Sequence, residues 1–248
     1  MGRILQTGLM PKNNSLQHLF QLNFAVLLIS TSGTLGRYID LPVPVIIASR
    51  ALIGGFALYC FCKWKKFSFI IKKEDRKVVF ISGVLMGIHW ITYFYSLKLS
   101  NVAIGMLSVF TYPVITSFLE PIILKSKFDK SNIFLGLLVL IGIYFLVPEF
   151  SFKNTHLKAI GFGVFSALCY SIRNVLMKAK VKAYEGSILM SYQLIVVSVL
   201  LIPTFFVFDT SGFQEALPAV LILSLLTTAT GHTLFLYSFK NFSITAAS

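Results

Sequence analysis

The 248-residue chain is 56% hydrophobic and only 12% charged, with 24 phenylalanines and a mean hydropathy of +0.80. Soluble domains carry about a quarter charged residues, so a single water-soluble globule is excluded, and the apolar excess excludes a disordered polymer as well. The formal charge of +13 does not point to nucleic acid, because the basic residues fall in short gaps between apolar blocks, the pattern of loops that face anionic lipid headgroups.

In chain order the apolar blocks lie at about 19–36, 43–62, 78–97, 102–124, 132–147, 159–177, 187–208 and 216–239. They are uninterrupted, close to the ~20 residues a helix needs to cross a bilayer, and lack the ten-residue alternation of barrel strands. The expected fold is therefore an all-α integral membrane protein with eight spanning helices and a ninth beginning at Ile244. The longest connection is 63–77, too short for a soluble catalytic domain. No small-x-small cleavage pattern follows the first block, so no cleavable signal is expected. Cys60, Cys62 and Cys169 form neither a disulfide framework nor a metal site, and no metal or cofactor is expected.

Loop charge orients the spans. With residues 1–18 cytoplasmic, the inner side receives 16 basic residues, seven of them between positions 63 and 77, and the outer side only Arg37, Lys98, Lys153 and Lys158. Arg50 and Arg173 fall within spans. This bias predicts a cytoplasmic N-terminus.

Tyr95-Ser96-Leu97-Lys98 recurs 142 residues later as Tyr237-Ser238-Phe239-Lys240, each copy at the end of a span before a short polar break. One copy ends outside and the other inside, as expected of two inverted five-helix repeats, 19–150 and 151–248. On that count the second repeat is expected to lack about 40 residues, the rest of its ninth helix and its tenth.

Arg50 in Ala48-Ser49-Arg50-Ala51-Leu52, the run from Tyr95 to Gly105, the mid-helix proline of Thr111-Tyr112-Pro113-Val114, and Gly136 through Gly142 in helix 5 stand in this order along the chain. Together they resemble the EamA-type family of the drug/metabolite transporter superfamily. Gly83 and Gly87 match the family's close helix packing. One departure is Lys125-Ser126-Lys127 after helix 4, where members often carry a glutamate; Glu120-Pro121 lies within the helix instead. The resemblance implies a carrier for an amino acid, a related metabolite or a xenobiotic.

Charges within a bilayer are costly, which makes Arg50, Glu120 and Arg173 the first functional candidates. At ~1.5 Å per residue they lie roughly 10, 27 and 21 Å below the outer boundary, so Glu120 can meet Arg173 in an intramembrane ion pair but cannot reach Arg50. Arg50 reads either as a fixed cation for a substrate carboxylate or phosphate, or as a structural arginine on helix-end carbonyls. His89, Trp90 and Tyr93 of helix 3 and Tyr112 of helix 4 sit near the midplane, where they form either an aromatic cavity or a helix interface. Tyr170, Gln193 and His232 are the cavity candidates of the second half, with Gln193 at about the place of Arg50 in the inverted partner of helix 2. Pro113 is a candidate kink, and the histidines are candidate proton carriers.

No nucleophile elbow, phosphate loop or metalloprotease motif is present, so catalysis is not expected. The expected function is a secondary transporter that exports a small organic metabolite from the bacterial cytoplasm through the inner membrane by alternating access. A passive channel or a membrane assembly partner is the alternative. Expected partners are the substrate and membrane lipids with anionic headgroups at the inner face, in a monomer or homodimer without nucleic acid.

Overall fold

The structure is a computed structural model that describes residues 12–126, 128, 131–146 and 155–247. Every regular element among them is helical: α1 (Lys12–Tyr38), α2 (Val43–Trp64), α3 (Lys73–Leu99), α4 (Val102–Leu124), α5 (Ser131–Leu146), α6 (Thr155–Lys178), α7 (Gly186–Val207), α8 (Phe213–Ser238) and α9 (Ile244–Ala247). The basic residues Arg3, Lys127, Lys130 and Lys153 and the expected repeat boundary at 150 lie outside the described residues.

Helix dominates because hydrocarbon offers no partner for a free backbone N–H or C=O, and a helix satisfies both within one segment. Seven of the helices are long and apolar enough to cross a membrane. The expected span at 132–147 is the exception by length, since α5 has 16 residues and extends only about 24 Å. It nonetheless covers a necessary return. Ser100, at the start of α4, meets His156, at the start of α6, whereas Glu120, near the other end of α4, meets α9. The chain must therefore cross back between α4 and α6.

The surface exposes many large apolar side chains, while an apolar core also encloses charged and amide side chains. Phe206 is 86% exposed, while Arg50, Arg173, Asn174 and Gln193 are 0% exposed. Small residues set close approaches between helices. A Cβ on Gly83 of α3 would lie 2.7 Å from Val196 Cβ of α7, and one on Gly163 of α6 would collide with Ser108 of α4.

Packing is organised around two long pairs. α3 runs against α6, with Ser96 donating to the Ala159 carbonyl at 2.6 Å, and α1 runs against α8. α2 and α7 pack together between them. The ends of the pairs are clamped by cations. Arg37 of α1 donates to the Lys98 carbonyl at 3.0 Å and Lys98 returns a bond to the Ile39 carbonyl at 2.6 Å. At the opposite end Lys178 of α6 donates to the carbonyls of Phe239 and Phe242.

The helices after these clamps begin alike. Asn101 Oδ1 accepts from the Ile104 amide at 2.9 Å, and Ser243 Oγ accepts from the Ala246 amide at 3.1 Å. Both partners stand 142 residues apart, the spacing of the Tyr-Ser-x-Lys pair.

Three helices are interrupted, α7 at Ile202 and Pro203 and α4 and α8 in mid-span. In α4 the break falls at Phe110 and Thr111, and Pro113 sits in the first turn of the following segment, where its missing N–H has no helical partner to lose. α8 contains a π-helical stretch, Leu223–Gly231, ahead of His232.

Candidate functional site

α1, α3, α4, α6 and α8 enclose a cavity. Its walls include Ser32 of α1, His89, Trp90 and Tyr93 of α3, Met106 and Tyr112 of α4, Tyr170 of α6, and His232 and Phe235 of α8. Six of the eight residues anticipated as cavity candidates line it: His89, Trp90, Tyr93, Tyr112, Tyr170 and His232. The i, i+4 spacing of His89 and Tyr93 puts both rings on one face of α3, 6.2 Å apart and stacked. Tyr170 stacks on His89 at 4.3 Å and meets Tyr112 edge-on at 5.1 Å. Trp90 meets His232 at 5.4 Å.

His89 is held by α6, its Nδ1 2.8 Å from Ser166 Oγ, which in turn donates to the His89 carbonyl. His232 differs, because its buried Nδ1 has no hydrogen-bond partner among the described residues. The space is about 60 Å³, room for a few water molecules and smaller than a metabolite, so a bound substrate requires the walls to separate.

Arg50 and Gln193 do not line this space. Arg50 lies behind the Trp90 wall, its guanidinium carbon 4.1 Å from the Trp90 ring centre and 5.5 Å from that of Phe94. It donates to Thr228 Oγ1 at 2.8 Å, and to Ser32 Oγ and Thr227 Oγ1 at 3.4 Å each. The two threonine hydroxyls direct their own protons to the Leu223 carbonyl, which leaves their oxygens as acceptors for the guanidinium. Ser32 both accepts from Arg50 and lines the cavity. The charge thus stands one hydroxyl away from the cavity, and among the described residues no carboxylate bonds it.

Gln193 serves Arg173 instead. The Arg173 guanidinium donates to Gln193 Oε1 at 2.6 Å and Asn174 Oδ1 at 2.9 Å, with Met190 Sδ at 3.6 Å. The expected Glu120–Arg173 pair does not form. Glu120 turns toward α9, where it accepts from the amides of Ile244 and Thr245 at 3.1 and 3.0 Å and from the Thr245 hydroxyl at 2.7 Å. Their similar expected depth left a pair within reach, but the side chains leave α4 and α6 toward different neighbours.

Ser32, Thr227 and Thr228 were missed as site residues. The adjacent threonines in an otherwise apolar stretch are the sequence signal that could have shown them. Among the described residues no cluster of three His, Cys, Asp or Glu side chains is placed to hold a metal ion, and the cysteines are free.

The sequence profile of the EamA-like transporter family matches residues 19–147, more than half of the chain. The chain belongs to that family, and with it to the drug/metabolite transporter superfamily of multi-pass membrane proteins. A solved crystal structure superposes on 93% of this chain and 82% of its own with a TM-score of 0.72, at 16% sequence identity, a likeness of fold alone. No curated protein matches the sequence.

Proposed function

We propose that the protein is a secondary carrier that exports a small organic anion, an amino acid or a related metabolite, across the bacterial inner membrane. The carrying observation is Arg50, a wholly buried guanidinium that among the described residues is hydrogen-bonded only to hydroxyls, with Ser32 between it and the cavity. A cation without an acid partner is costly in the bilayer interior, and guanidinium suits carboxylate or phosphate through paired N–H donors. Aromatic walls offer stacking to the apolar part of such a substrate.

Alternating access between inverted halves 19–150 and 151–248 is supported by the reciprocal packing. The third helix of each half lies on the first helix of the other, α3 on α6 and α8 on α1. The matched caps at Asn101 and Ser243 support the same repeat. A cavity that must widen to admit substrate favours a carrier over a fixed pore. The distribution of basic residues supports a cytoplasmic N-terminus, which puts the Lys98 end outside and the Lys178 end inside. His232, with its unpartnered Nδ1, is the proposed proton-carrying group.

Counterflow in proteoliposomes tests the carrier reading. Unlabelled substrate on the far side is expected to accelerate movement of the labelled compound. Indifference to it would indicate a passive channel.

A further inference from the structure

A second recess lies at the Lys178 end, between the connection after α2, the first turns of α3, and α7. Phe69, Ile70 and Ile71 form one wall, Val79 and Phe80 a second, and Tyr192 and Val196 a third, around about 480 Å³. Tyr192 closes one end by donating to the Phe69 carbonyl at 2.5 Å, which staples the connection to α7. The close approach of Val196 to Gly83 closes the floor.

Among the described residues that line the recess, the one cation is Arg76, at its mouth. Arg76 is held there by a bond from Nε to the Ile71 carbonyl at 3.2 Å, so its two terminal nitrogens remain for a ligand. The neighbouring acid does not neutralise it. Asp75 is engaged by Lys180 at 2.5 Å and by the Tyr184 hydroxyl at 2.6 Å, and Glu74 makes no hydrogen bond or ion pair with Arg76. Positions 63–77 carry seven basic residues against these two acids, so the whole connection favours an anion. Ile70 and Phe80 remain 78% and 54% exposed, an apolar surface that water does not favour and an acyl chain does.

We propose that this recess binds a phospholipid with an anionic headgroup, its phosphate on Arg76 and an acyl chain along Phe80 and Val196. A charge at the mouth of an apolar groove, at the level where a spanning helix begins, matches the order of groups along a phospholipid. The lipid bridges the connection after α2, α3 and α7, and so braces the contact between α3 and α7. The proposal rests on the membrane fold and not on the transported substrate.

Native mass spectrometry of the full chain in neutral detergent, offered equal amounts of phosphatidylglycerol and phosphatidylcholine, tests it. The unmodified protein is expected to retain phosphatidylglycerol preferentially. Arg76→Gln is expected to lower that retention by about fivefold, the effect of one basic residue at an anionic headgroup, with phosphatidylcholine unchanged. Lys65→Gln, in the same connection but outside the recess, is expected to change little. Ile70→Glu keeps the test open if Arg76→Gln does not fold, because an acid at this exposed position should repel the headgroup. Equal losses from Arg76→Gln and Lys65→Gln, or retention unaffected by Arg76→Gln and Ile70→Glu, would overturn the proposal.

Discussion

Arg50 and Ser32 are joined by a hydrogen bond across α2 and α1, and Ser32 faces the cavity that Arg50 does not touch. The guanidinium is therefore placed to act on a ligand by its field and through one hydroxyl, with Trp90 as the wall between.

Because no carboxylate is left orphaned when the charge is removed, Arg50→Met is expected to fold and insert. Its transport of an anionic substrate should fall by about 10- to 100-fold, the equivalent of one hydrogen bond to a charged group. Membrane abundance and initial transport rate, measured side by side, check this. Unchanged transport at matched abundance would remove Arg50 from the substrate path.

Helix contacts at glycine predict a sharp positional contrast. Gly163→Ala forces a methyl group against Ser108, and is expected to destabilise by about 1–3 kcal/mol through overpacking. Gly161→Ala, two residues away, meets open space and should be nearly neutral. Unfolding midpoints of the two variants in the same detergent compare them directly.

The clamps at the two ends of the bundle make equivalent predictions. Lys178→Met removes donors from the Phe239 and Phe242 carbonyls, and Arg37→Met removes one from the Lys98 carbonyl. Each is expected to cost about 1 kcal/mol, and the double variant should approach their sum, since the sites share no partner. Chemical denaturation of the four proteins measures both the losses and their additivity.

Tyr184 offers a test of pH dependence outside the spans. Its hydroxyl donates to Asp75, and that bond raises the phenol's pKa above its ordinary value of about 10. A raised folded-state pKa stabilises at pH below the ordinary value and is lost as pH rises through the raised one. The phenol's contribution is thus expected to persist through neutrality and to be lost in alkali. Absorbance titration of Tyr184→Phe should lack a late-titrating phenol that the unmodified protein shows.

The spans were legible because hydrophobicity and length together leave a bilayer segment one choice of backbone. The block at 43–62 became α2 (Val43–Trp64), and the block at 102–124 became α4 with the same limits. Six of the aromatic and imidazole side chains singled out in the sequence line one cavity. Direction around the helix axis was less legible. Depth alone suggested Glu120 with Arg173, whereas rotation about α4 and α6 sends one to α9 and the other to Gln193. Arg50 meets Thr228 across 178 positions of sequence, and the π-helical stretch that presents Thr228 has no composition of its own. The cap shared by Asn101 and Ser243 escaped notice because asparagine and serine perform one role with different side chains.

Metabolite profiling of the medium around expressing cells most directly tests anion export past Arg50. Cells with the unmodified protein, with Arg50→Ala at matched membrane abundance, and with no protein should be grown in parallel. A small carboxylate or phosphate compound is expected to accumulate outside only with the unmodified protein. Equal accumulation with Arg50→Ala, or a profile identical to that of cells without the protein, would contradict it.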